Sequence, residues 1–222
     1  MLPFTADVLF SNFGQYNRAL WPLPVLAWLL ALAAILLTLR PVRSGDRVIA
    51  GLLAAGWLWI GYGYHYLQFA AINFAAPVYA VFFVLQGLLL AWTGVARRGL
   101  AFHFHADAFG WAGLALALAA TLGWPLADLL TGHGWESVRL VGLAPGPTAV
   151  FTLGLLLLTD GPTPLRLTLI PLLWTFVAGA TAWVLAIHQD LVQPAAALGV
   201  LGLAVWKNRG RRAGCSSRSH PA

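Results

Sequence analysis

Charge is what this sequence has least of. Only 9% of its 222 residues are Asp, Glu, Lys or Arg, against 60% hydrophobic, and the mean hydropathy is +0.78. A soluble domain carries about 25% charged residues, so the polar surface needed to cover a water-soluble globule is missing. Cysteine is nearly absent as well. The single Cys215 excludes an intrachain disulfide and a thiolate metal cluster. One lysine, Lys207, stands against twelve arginines. It lies beyond the last apolar run, which excludes a retinal-type Schiff base on a buried amine. There is no GxSxG, HExxH or Walker lysine motif, and no internal repeat of the kind that marks inverted-repeat transporters.

What the chain does have is long apolar runs. A spanning helix needs roughly 20 mostly apolar residues, and seven candidates occur: Trp21–Leu39, Val48–Leu67, Pro77–Val95, Ala108–Leu130, Thr148–Thr159, Leu167–His188 and Pro194–Trp206. The fifth and seventh are short, so six full crossings and a re-entrant segment are the alternative. With the N-terminus outside, eleven basic residues fall in the inner segments and two, Arg18 and Arg139, in the outer ones. That division fits the positive-inside rule for a seven-span, N-out/C-in, all-α helix bundle. It also accounts for the net charge of +6 without invoking nucleic acid. The Ala-, Leu-, Gly-, Trp- and Arg-rich composition fits a GC-rich bacterium, so the expected location is a bacterial inner membrane, with the lipid bilayer as the main partner. The N-terminal stretch lacks a basic n-region and a cleavage site, and we read it as retained.

Residues 1–20 place Phe4, Val8, Leu9, Phe13, Tyr16 and Leu20 at helical steps behind Thr5, a good N-cap. This predicts an amphipathic helix that either lies on the outer surface or plugs the mouth of the bundle. Residues 21–206 form the bundle. The basic, Ser-rich segment 207–222 reads as a disordered cytoplasmic tail held near anionic lipid.

Sorting by side gathers polar residues on the outer face: His65 and Asn73 after the second run, Asp128, then His133 and Glu136 in "GHGWES", and His188 and Asp190 in "IHQD". Ionisable groups at such depths are expected to face the bundle or a wet cavity. Trp174, Thr181 and His188 recur every seven residues, one stripe of a helix. Gly61 and Tyr62 lie one turn before His65, and a glycine there lets a neighbouring backbone come close. The candidate ligand-binding set is therefore Tyr62, His65, Asn73, His133, Glu136, His188 and Asp190. Neutral imidazoles with a carboxylate suit zinc or another transition metal, with His65, His133 and His188 as ligands. Haem between two histidines is the weaker fit. An interfacial belt of Tyr, Trp and His explains the same residues without any ligand. On the inner side "FHFHAD" groups His103, His105 and Asp107, where Asp107 suits a helix N-terminus. Gln86, in mid-run, suits a hydrogen bond to a neighbouring helix.

The fragments "PFTADVLFSNFGQYN", "WP" (Trp21, Pro22), "YH" (Tyr64, His65), "IN" (Ile72, Asn73), "GHG" (Gly132–Gly134), "PTAVFTLGLLLL" (Pro147–Leu158), "IPLLW" (Ile170–Trp174) and "QDL" (Gln189–Leu191) occur in an order that resembles the bacterial membrane family catalogued as domain of unknown function 6064. The resemblance implies a multi-pass membrane fold and no activity. In that family a cysteine often precedes the "PT" proline, where this chain has Gly146. Three functions fit these readings: binding or transport of a small ligand or metal ion through an outward pocket, a membrane enzyme acting on lipid or quinone, and a structural subunit of a membrane complex.

Overall fold

The computed structural model describes residues 3–132 and 134–216, with side chains up to residue 210. Among the described residues the fold is all-helical, apart from one isolated bridge between Phe102 and Thr159. Helix α1 spans Ala6–Ala19, and its N-cap Thr5 accepts from the Val8 N–H. Helices α2 (Leu23–Leu39) and α3 (Gly45–Trp59) follow, and α3 runs on into a π-helical segment, Ile60–Gln68. Helix α4 (Ala76–Leu90) continues as π turns over Ala91–Ala96. Helix α5 (Ala108–Leu118) joins α6 (Trp124–Leu130) through a third π segment, Ala119–Gly123. Helices α7 (Pro145–Leu157), α8 (Leu165–Leu185) and α9 (Val192–Ser216) complete the chain.

Two ends of the bundle are defined by polar contacts. At one end, Asn17 of α1 donates to the carbonyls of Glu136 (2.7 Å) and Val138 (2.9 Å), and Arg18 pairs with Glu136. At the other end, the Asp46 carboxylate accepts from the Phe102 N–H (2.7 Å), and the Thr38 carbonyl accepts from the Phe104 N–H (3.0 Å). There too Lys207 donates to the Leu157 and Thr159 carbonyls at 2.8 and 2.6 Å, answering acceptors that the end of α7 leaves open. The loops sorted together by their basic residues thus meet at the same end.

The expectation of seven full spans, or six, needs correction. Among the described residues three helices are long and apolar enough to cross a membrane: Ala76–Ala96, Ala108–Leu130 and Leu165–Leu185. A fourth arises if α1 and α2, which meet at 93°, count as one broken span. The reason lies in what surrounds the others. Helix α7 has only 13 residues, about 20 Å at 1.5 Å per residue. Every one of them except Gly146 is buried, so protein rather than lipid surrounds it. A helix solvated by its neighbours need not match the thickness of a bilayer, and irregular backbone at its ends is tolerated where protein encloses it. Residues 207–216, read from sequence as a disordered tail, continue α9 as helix.

Close packing around α7 depends on small residues. At the α5–α7 crossing Gly113 faces Gly154, and a Cβ on either would sit 2.7 Å from the other's carbonyl oxygen. Leu153 and Leu157 of α7 pack with Leu172 of α8 and with Ala197, Val200 and Ala204 of α9. Trp57 of α3 lies 4.4 Å from Phe83 of α4 and donates to Thr152 of α7 at 2.8 Å. Gln86 makes the expected crossing bond, donating to the Leu167 carbonyl at 2.9 Å.

Candidate functional site

The π segment decides which way "WIGYGYHYLQF" faces. Buried positions there are Ile60, Gly61, Gly63, Tyr64, His65 and Phe69, while Tyr62 and Tyr66 are exposed. Buried residues step by four and five, as the wider i→i+5 turn requires. Tyr62 and Tyr66 therefore stack on each other at the outer surface, 6.1 Å apart, and Tyr64 and His65 turn inward. Gly61 allows this: a Cβ there would meet the Ala80 carbonyl at 3.0 Å and Val84 at 2.9 Å, so α4 lies directly against it.

His65 is fully buried among aromatic rings: Phe83 at 4.6 Å, Trp174 at 5.0 Å, Tyr64 at 5.4 Å, Tyr79 at 5.7 Å and Phe69 at 5.9 Å. Among the described residues neither of its ring nitrogens has a hydrogen-bond partner. It lines a cavity of about 70 Å³, together with Trp174 and Thr181 of α8, Gly146 at the start of α7, Gln193 of α9, and Arg139 and Asp190. The Trp174 indole N–H and the Gln193 Oε1 are likewise buried and unpartnered among the described residues. An unsatisfied buried polar group costs about 1–3 kcal/mol, so four such atoms on three residues lining one cavity are an unusual concentration. The space suffices for a few waters or a small ligand.

Helix α1 covers this cavity. Leu9 and Phe13 reach its wall, and Phe13 stacks on Tyr64 at 4.7 Å. Asn12 and Gln68 exchange side-chain-to-carbonyl bonds of 3.4 Å, and Trp59 donates to the Tyr16 hydroxyl at 2.7 Å. With bonds on its polar face and stacking on its apolar face, α1 is held against the π segment of α3.

Beside the cavity lies a buried ionic triad. Arg139 donates to Asp128 through Nη2 (2.6 Å), Nε (3.1 Å) and its backbone N–H (2.9 Å), and through Nη1 it pairs with Asp190. Asp190 also accepts from the Trp124 indole at 2.9 Å, and the guanidinium lies 4.9 Å over the Phe10 ring. The three side chains are 5%, 0% and 8% exposed, so the charges must satisfy one another.

Of the residues singled out by sequence, His65, Asn73 and Asp190 line one cavity. Asn73 also accepts from the Ala75 N–H at 3.0 Å, ordering the turn into α4. Tyr62 faces outward, Glu136 pairs with Arg18, and His188 is exposed. His133 lies outside the described residues. The heptad stripe holds for Trp174 and Thr181 and fails at His188, because Ala186 takes a left-handed conformation (φ 55°) that ends α8 and starts a new turn. Among the described residues no group of three His, Cys, Asp or Glu side chains is placed to hold a metal. The sequence reading missed Arg139 and Gln193. It counted Arg139 only as a topology charge, although an outer Arg beside two outer Asp was the signal for a pair.

At the far end, Asp160 lies 2.5 Å from Nδ1 of His103 and 2.8 Å from Nε2 of His105. Desolvation acts to raise this carboxyl, but the hydrogen bonds to His105 and His103 outweigh it and hold it below its ordinary value. Asp107 caps α5, accepting from the Gly110 N–H at 2.7 Å.

Fold and site together define an all-helical protein, among the described residues, with three or four helices apolar enough to cross a bilayer and a cavity whose lining includes buried polar groups. The chain belongs to a family of unknown function, DUF6064, whose model matches residues 6–215. Neither a curated protein nor a solved structure matches the chain.

Proposed function

We propose that this protein is a membrane-embedded binding protein that takes a small polar ligand into the cavity beneath α1. The observation that carries this reading is the set of atoms unpartnered among the described residues on side chains that line the cavity: both nitrogens of His65, the Trp174 N–H and the Gln193 oxygen. Groups that are costly to leave unpaired are paired by a ligand or by water. The end bearing α1 faces outward and the Arg-rich end faces the cytoplasm of a bacterial inner membrane, as the eleven-to-two split of basic residues supports. Transport through this site would require α1 to move from the mouth.

The test is native mass spectrometry of the full chain released from its own membranes in mild detergent. The expected result is a small bound molecule, lost in Ala178→Leu, which adds bulk to the cavity wall. An identical spectrum with no added mass in the parent protein, together with no response to any small polar probe, would end this reading.

A further inference from the structure

The charge of the triad selects the ligand. Asp128 and Asp190 bring two carboxyl groups to one guanidinium, that of Arg139, which cannot be deprotonated in a protein. Among the described residues no other ionised group touches them; the neighbouring pair, Arg18 with Glu136, is neutral as a unit. Among the described residues the cluster thus holds one carboxyl group more than its guanidinium balances, and Asp190 is the acid that lines the cavity. Low dielectric strengthens the field of the cluster, which repels an anion and attracts a cation.

The unpartnered atoms refine the choice. Gln193 Oε1 and one nitrogen of a neutral His65 are acceptors and call for N–H donors. The Trp174 N–H and the other His65 nitrogen are donors and call for an oxygen. Tyr79 and Trp174 line the same space, and aromatic rings there suit an ammonium group.

Building on the binding reading above, we infer that the ligand is a small amino alcohol or similar amine cation. Its ammonium group lies toward Asp190 and Gln193, and its oxygen toward His65 and Trp174. The site is closed to carboxylates of the same size.

Isothermal titration calorimetry on the detergent-solubilised full chain tests this with three probes of similar size: ethanolamine, which is protonated at neutral pH, ethylene glycol and glycolate. The expected result is saturable ethanolamine binding about tenfold or more tighter than ethylene glycol, and no glycolate binding. Asp190→Asn, which removes the excess carboxyl group, should shrink the difference between ethanolamine and the glycol. Should that variant fail to fold, Trp174→Phe keeps the ring and deletes the donor, and should weaken ethanolamine more than propylamine. Binding of glycolate or ethylene glycol as tight as that of ethanolamine overturns the cation assignment while leaving a binding site. Binding of none of the three overturns both readings.

Discussion

Replacing Arg139 by Met keeps a long side chain over Phe10 and removes the only positive charge between two buried carboxylates. Asp128 would lose its Nε and Nη2 partners, and Asp190 would keep only the Trp124 indole. Breaking a buried ion pair from one side costs about 3–5 kcal/mol, because an uncompensated charge stays behind. Asp190→Asn is the informative comparison. It leaves Arg139 bonded to Asp128 and offers Trp124 an amide oxygen, while its amide nitrogen replaces the acceptor of Arg139 Nη1, so about 1–2 kcal/mol is expected. For a chain of this length each kcal/mol moves the melting temperature by about 2–4 °C. The melting temperature in detergent, followed by tryptophan fluorescence, should therefore drop by roughly 6–20 °C for Arg139→Met and by roughly 2–8 °C for Asp190→Asn. Converting all three residues to apolar ones of similar volume should recover most of the loss, since buried triads exchange for packed apolar groups at little net cost. An Arg139→Met protein as stable as Asp190→Asn would refute the reasoning, because it would mean the two carboxylates do not depend on the guanidinium.

Other perturbations probe separate parts of the fold. Thr152→Val leaves the Trp57 indole N–H unpaired in the core and should cost about 1–3 kcal/mol, most of which returns when Trp57→Phe is added; a double variant no better than the single would show the bond is not the cause. Gly113→Ala places a methyl against the Gly154 carbonyl and should cost about 1–3 kcal/mol. Gly199→Ala in α9, with nothing within 4 Å of its Cβ, should instead be neutral or add up to about 1 kcal/mol on the same unfolding assay. Asp160, held below its ordinary value of 3.8, contributes stability that is complete above that value and is lost as pH falls through the lower folded value. The difference in melting temperature between the parent and Asp160→Asn should therefore be constant near neutral pH and vanish in acid. A difference that grows in acid would reverse the assignment.

The sequence by itself determined that the chain is apolar and helical. Few charges and repeated apolar runs are what make three or four of its helices fit to cross a membrane. Thr5 and Asp107 announced the caps they form, and the basic residues sorted the loops into the two sets that meet in space. These features are local or additive along the chain, so one dimension is enough to read them. Tertiary structure decided the rest. Whether a helix faces lipid or other helices is a property of its neighbours, which is why α7 is short and enclosed while its run looks like a failed span. The π turns of α3 shift the register by fractions of a turn, sending Tyr62 out and His65 in. The left-handed residue at Ala186 breaks the heptad before it reaches His188. Arg139, Asp128 and Asp190 lie up to 62 positions apart in the chain, and only packing makes their charges one object.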